Sequence, residues 1–207
     1  AFLARSGWTP GRGVVAYDDI GGALAARLWF LMRYFGQEGA AVLDGGLQAW
    51  CEAGLPLESG PSTAAPAAPV ELAPESSMVA DTVALQHELE RERVLLIDAR
   101  AANRFAGRDE NLDPVAGHVP GAINRPFADN LGDRGRFRSV EALGAEFRRL
   151  LSAHDPSVAV HMCGSGVTAC HNLLAMELAG LTGARLYAGS WSEWIRDPSR
   201  PVAEGPA

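Results

Sequence analysis

The sequence predicts an α/β protein built on a parallel sheet with helices on both faces. Short apolar runs of three or four residues, most of them closed by Asp, Cys or Gly, alternate along the chain with helical patterns. That alternation is what βαβ units need. With 207 residues, 47% of them hydrophobic and 21% charged, the chain can bury a real core and is too apolar to be disordered. A strand, a Gly-containing turn and a helix also occur twice with matching residues, so the architecture repeats itself.

In chain order, residues 14–17 (Val-Val-Ala-Tyr) read as a buried strand that ends at Asp18-Asp19. Gly21-Gly22 open a helix with Leu24, Leu28, Leu31 and Phe35 on its apolar face, and Gly36 ends it. Residues 41–43 form a strand, Asp44-Gly45-Gly46 a turn, and residues 47–51 a short helix stopped near Gly54 and Pro56. From residue 59 to about 77 the composition shifts to Pro, Ala and Ser, the mark of a linker or an extended crossing segment. Asp81 caps a helix that runs to about Arg91. Residues 94–97 are a strand ending at Asp98, and residues 101–135, rich in Gly, Asp, Asn, Arg and Pro, are mostly loop. Residues 140–151 are helical, 158–161 a strand, 167–178 a helix and 185–187 a strand.

The repeat divides the chain. Residues 15–18 match residues 160–163 at an offset of 145, and Gly45 and Trp50 match Gly189 and Trp194 at an offset of 144. Residues 1–58 read as the back part of one domain, 59–78 as a linker and 79–207 as a complete second domain. The second copy has a front half, about residues 79–146, whereas only 13 residues precede Val14 in the first. The sequence therefore reads as lacking most of the front half of its first domain.

Composition excludes several functions. All 18 basic residues are arginine, so lysine chemistry is absent, and 25 acidic residues leave a net charge of −7. That balance speaks against nucleic-acid and anionic-membrane partners. No apolar run approaches the ~18–20 residues of a membrane helix. The three cysteines (Cys51, Cys163, Cys170) have no CxxC spacing, and with the five histidines they show no metal-ligand pattern. A metal-free, cofactor-free protein of a reducing, cytoplasmic compartment is expected.

The informative segment is residues 158–169, Val-Ala-Val-His-Met-Cys-Gly-Ser-Gly-Val-Thr-Ala. It places Cys163 at the carboxyl end of a strand and before a helix. Gly164 and Gly166 allow a backbone that turns successive N–H groups inward, and the helix start adds unpaired donors and partial positive charge. Such a cradle stabilises an anion on the cysteine, as thiolate or persulfide, and helix starts are settings that activate thiols. The hydroxyls of Ser165 and Thr168 can add hydrogen bonds. Cys51 and Cys170 read as buried hydrophobes.

The sequence resembles the tandem-domain sulfurtransferases of the rhodanese family. The resemblance spans nearly the whole chain. It rests on VVAYDD, AARLWFLMRYFG, VLDGGLQAW and AGLPLE in the first part, and on LLIDAR, NRF, GHVPGAIN, CGSGVTAC and GSWSEW in the second. It implies two rhodanese-like domains, the first without a nucleophile, in keeping with Asp18 at the place of Cys163. It implies that Cys163 takes a sulfur atom from a small-molecule donor and passes it to cyanide, a thiol or a thiol protein. The run at residues 163–169 is similar to the 3-mercaptopyruvate type, whereas thiosulfate-type loops tend to carry basic residues. Gly164, Ser165, Gly166, Val167 and Thr168 would then form the sulfur cradle, with Arg104 of Asn-Arg-Phe as the donor's anchor. A second arginine is usual in such relatives seven residues before the His of Gly-His-Val-Pro. Here that position is Asn111, which leaves Arg108 as the nearby replacement.

Asp98 is expected to fix loop geometry, His118 to hold a turn, His161 to be a satisfied core histidine, and Trp191 to support the pocket or the core. Two rival functions fit the sequence less well. A cysteine phosphatase needs arginine where Ala169 stands, and a non-catalytic rhodanese-like module would not need Cys163.

Overall fold

The computed structural model describes residues 2–61 and 64–206. Its strands are β1 (Val14–Ala16), β2 (Ala40–Val42), β3 (Val79–Ala80), β4 (Leu95–Asp98), β5 (Ile123–Asn124), β6 (Ala159–Met162) and β7 (Arg185–Tyr187). Its helices are α1 (Phe2–Arg5), α2 (Ala25–Tyr34), α3 (Gly46–Glu52), α4 (Thr82–Glu90), α5 (Ala102–Phe105), α6 (Val140–Leu151), α7 (Ala169–Leu178) and α8 (Ser190–Trp194). A five-stranded sheet in the order β3-β7-β6-β4-β5 is parallel throughout, and β1 and β2 make a separate parallel pair.

Alternation along the central strands builds the core on both faces. Leu96, Val160 and Met162 point to one side, where Leu85, Phe105, Tyr187, Trp191 and Trp194 pack. Ile97 and Ala159 point to the other, onto Leu143, Phe147 and Leu151 of α6. The expected cap is in place, since the Asp81 carboxylate accepts from Ala84 N at 2.9 Å, and Ser139 Oγ, not singled out from the sequence, accepts from Ala142 N at 3.2 Å at the start of α6. At the end of α2, Gly36 (φ 72°) lets its own N–H reach Arg33 O and that of Gln37 reach Met32 O.

Four expectations need correction. Cys51, read as a buried hydrophobe, is exposed on α3. Within residues 14–17 the strand is Val14–Ala16 and is not a buried one, because Val15 is 62% exposed, and Tyr17 just after it is 61% exposed. They border an open cavity of about 580 Å³ with Leu43, Leu47, Trp50 and Leu57. The buried face of α2 is Ala26, Trp29 and Phe30, which meets α7 at Cys170, Leu173 and Leu174. Leu24 is exposed, and Leu28, Leu31 and Phe35 are half-buried. Alanine at position 26 lets the two helices approach closely, which a count of large apolar residues does not weigh. Finally, the 167–178 helix begins at Ala169, because residues 164–168 remain irregular loop.

The described residues of the 59–78 segment contain one 3-10 turn, Ser76–Met78; residues 62 and 63 of it lie outside the described ones. The segment is pinned by Ala67 N to Ala4 O (2.8 Å) and Glu75 N to Tyr34 O (2.7 Å). No helix among the described residues is long and apolar enough to cross a membrane.

Candidate active site

Cys163 follows β6 at the carboxyl edge of the sheet, the end at which open α/β folds bind ligands. It is 2% exposed. Its backbone is fixed from α8: Cys163 N donates to Ser190 Oγ (3.1 Å), and Trp191 N donates to Cys163 O (3.0 Å). Ser192 adds N–H and hydroxyl bonds to Gly164 O, at 2.9 and 2.7 Å. Gly166 has φ +73°, and a Cβ there would collide with the backbone oxygen of Ala188, so only glycine fits.

The backbone N–H groups of residues 164–169 donate to no group among the described residues. They belong to one short loop and a helix start, and are left for something else. The Ser165 and Thr168 hydroxyls likewise have no protein partner among the described residues.

The loop after β1 explains what such donors hold. There the Asp18 carboxylate accepts from the N–H groups of Ile20 (3.0 Å), Gly22 (2.8 Å), Leu24 (2.9 Å) and Ala25 (2.8 Å). Burial raises the Asp18 carboxyl, and the four donors outweigh it, so its pKa lies below the ordinary aspartate value. The two loops agree in detail. Gly21, aligned with Gly166, has φ +72°, and Leu47 N reaches Asp18 O at 2.9 Å as Trp191 N reaches Cys163 O. Three of the four donors to Asp18 align with Ser165, Val167 and Ala169. The fourth aligns with Cys170, whose N–H is bound to Val167 O at 3.1 Å.

Arg104 does lie beside the loop, since a Cβ on Gly164 would sit 3.6 Å from its Nη1. Its charge is already matched. Nε and Nη2 grip the Glu110 carboxylate at 2.8–3.2 Å, and Nη2 also reaches Asp113 Oδ2 at 3.1 Å. Burial raises the Glu110 carboxyl, but the Arg104 contacts and two backbone donors bring it below the usual glutamate value. Asp113 Oδ1 accepts from the Ser192 hydroxyl (3.0 Å), which joins the pair to the loop. Arg108 is exposed, and no side-chain hydrogen bond or ion pair of the described residues ties it to the loop. Asn111 is exposed too and turns back on Asp109 O.

The remaining candidates are framework. Asp98 is fully buried and binds Arg100 through both oxygens at 2.7–3.1 Å. Trp191 lies in the core beneath the Arg100 guanidinium, 4.8 Å from its ring centre, with Nε1 on Val115 O. His118 donates from Nδ1 to Phe105 O (2.8 Å) and stacks on that ring. His161 is buried against Met176 Sδ, but its Nδ1 has no partner among the described residues, so it is not fully satisfied. Burial and the Arg125 charge push its pKa down to about 3. Sequence reasoning missed Glu110, Asp113, Ser190 and Ser192. The acids flank Asn111, where only a missing arginine was sought. The serines flank Trp191 in the segment that repeats residues 45–50.

A rhodanese-like domain model matches residues 81–197. A Pseudomonas aeruginosa protein named "Probable 3-mercaptopyruvate sulfurtransferase" is 51% identical over 193 residues, 93% of this chain and 68% of its own length. Human 3-mercaptopyruvate sulfurtransferase is 36% identical over 214 residues, 99% of this chain and 70% of that one. The solved 3-mercaptopyruvate sulfurtransferase of Leishmania major superposes with a TM-score of 0.79 at 32% identity, over 95% of this chain and 56% of that one. The chain thus spans about two thirds of these curated relatives and little more than half of that structure. It belongs to the rhodanese family.

Proposed function

We propose that the chain carries the catalytic part of a sulfurtransferase in which Cys163 is the nucleophile. The thiolate attacks the outer sulfur of a donor, an S–S bond forms, and the donor's bond to that sulfur breaks with its electrons leaving on sulfite or on the enolate of pyruvate. A cyanide ion or a thiolate then takes the outer sulfur and the Cys163 thiolate returns. The observation that carries this reading is the set of N–H groups at residues 164–169 that donate to no group among the described residues, read against Asp18. A carboxylate places its oxygens one bond beyond Cγ. A persulfide places its outer sulfur one bond beyond Sγ. The donors that hold Asp18 are therefore laid out for a persulfide anion on Cys163.

The donor belongs to the 3-mercaptopyruvate or thiosulfate class. The cradle residues Gly164, Ser165, Gly166, Val167 and Thr168 carry no basic side chain, and Arg104 is already paired with Glu110 and Asp113. Both features favour the singly charged carboxylate of 3-mercaptopyruvate over dianionic thiosulfate. In this reading residues 79–207 are the catalytic domain, 59–78 a linker and 1–58 part of a non-catalytic one. The three free cysteines suit a reducing cytoplasm.

Intact-mass spectrometry after incubation with each donor tests the reading. One added sulfur is expected, faster with 3-mercaptopyruvate and absent in Cys163→Ser, whose turnover falls at least about a thousandfold, equal to about 4 kcal/mol of barrier. Sulfur uptake that survives in Cys163→Ser overturns it.

A further inference from the structure

We propose that Arg27, on α2 in the part of the chain that holds no nucleophile, is a positioning residue of the Cys163 loop. It acts by fixing the Gly166–Val167 peptide so that Val167 N–H faces the outer sulfur. The inference rests on the sulfur-transfer reading above.

Arg27 Nη1 donates to Gly166 O at 3.3 Å and lies 3.7 Å from Cys170 Sγ. The Cys170 thiol donates to the same carbonyl at 3.4 Å. Burial pushes that thiol up to about 12, so it keeps its proton at neutral pH and stays a donor. Both lone pairs of Gly166 O are thereby occupied. In a planar trans peptide the C=O and the next N–H point in opposite directions. Holding Gly166 O outward, toward α2, aims Val167 N–H inward. Val167 aligns with Gly22, whose N–H lies 2.8 Å from the Asp18 carboxylate. On its other side Gly166 already packs against Ala188, so the arginine completes a two-sided grip.

The grip is reciprocal. Gly21 O accepts from His171 Nε2, on α7, at 3.0 Å. The two glycines occupy the same place in the repeat, with φ +72° and +73°. Each half holds the other half's loop by the same carbonyl. On the Asp18 side the arrangement keeps a fixed carboxylate. On the Cys163 side it presents donors to an anion that comes and goes.

The test compares Arg27→Met and Arg27→Lys with Arg33→Met. Arg33 also joins α2 to α7, through Glu177 at 2.8 Å, but does not touch the loop. Two readouts are used: the pH midpoint of Cys163 alkylation by iodoacetamide, followed on its peptide, and kcat against KM for 3-mercaptopyruvate. Arg27→Met is expected to raise the midpoint by about half a unit to one unit, as loss of a donor to an anion should. It should lower kcat about tenfold with KM within about twofold. Arg33→Met should leave both unchanged. Arg27→Lys keeps the charge without the planar donor and should recover only part of the loss. Full recovery would reduce Arg27 to a charge acting at a distance and overturn the proposal, as would an Arg27→Met protein indistinguishable from wild type. If the wild type takes up no sulfur while the alkylation shift persists, the sulfur-transfer reading falls and the positioning role stands.

Discussion

The loop after β1 and the loop after β6 follow the same path, with a left-handed glycine at the same step and the same hydrogen bond from the helix that follows the next strand. They differ in what sits at the focus. Asp18 fills its cradle permanently and serves as a cap for α2. The donors around Cys163 meet no acceptor among the described residues. One backbone design thus holds a fixed carboxylate in one place and, in the proposed reading, a persulfide anion in the other. The chemistry is decided by one side chain and by whether the donors are already engaged.

The largest expected effect on stability comes from the paired glycines. In Gly166→Ala the new methyl meets a backbone oxygen, Ala188 O, that cannot step aside. Sulfur transfer should fall more than about a hundredfold, and stability by about 3 kcal/mol. In Gly21→Ala it meets the tip of Leu131, 2.7 Å away and able to rotate. That cost should be about 1 kcal/mol, from the left-handed backbone alone, with activity within a few-fold. Urea denaturation and turnover on both proteins would break the comparison if the two behaved alike.

Next comes the focus itself. Asp18→Ala leaves four N–H donors without their acceptor and should cost about 2 kcal/mol in urea. Cys163→Ser, a near-isosteric change whose hydroxyl oxygen lies among the loop N–H groups, should cost less, about 1 kcal/mol. The two substitutions also separate on acidification. Asp18 has a folded pKa below 3.8, so its stabilisation is present above 3.8 and is lost as pH falls through the folded value. His171, lowered to about 4 chiefly by burial, acts earlier: the unfolded chain takes up its proton first, and stability declines from pH 6.5 toward 4. Asp18→Ala should shrink the lower limb of the stability–pH curve, which Glu110 and Glu146 share, and slightly deepen the upper one, because the Asp18 charge raises the His171 pKa. An unchanged lower limb would show that the carboxylate is not the anion its loop selects.

Much of this was legible in the sequence, for local reasons. Short apolar runs closed by Asp, Cys or Gly located β1, β2, β4, β6 and β7, whereas β3 and β5, two residues each, carry no such run; Asp81 marks a real cap, and the glycines around Cys163 announced the loop. Burial was less legible, because it belongs to whatever packs opposite. Val15 and Tyr17 have strand residues and an open face, and α2 uses Ala26, Trp29 and Phe30 rather than its leucine stripe. Contacts between distant residues were the least legible. Neither the Arg27–Gly166 bond nor the pairing of Arg104 with Glu110 has a spacing rule to reveal it.

That last pairing gives the smallest effect, and it separates two roles for an acid in an anion site. Glu110 is 3% exposed and grips Arg104 through Nε and Nη2, which leaves Nη1, the atom nearest Gly164, for a donor carboxylate. If Glu110 mainly competes for the guanidinium's charge, Glu110→Gln should lower KM for 3-mercaptopyruvate about threefold. That is the ~0.7 kcal/mol of one unit charge at ~6 Å in a watery medium. kcat should stay put, because the cradle on Cys163 is untouched. If instead Glu110 mainly aims Arg104, the neutral amide loses the fork-to-fork geometry and KM rises. The sign of the change decides between them. A fall in KM also predicts that thiosulfate, with its second charge, gains more than 3-mercaptopyruvate does, which would place donor choice in the acids around Arg104 rather than in the Cys163 loop.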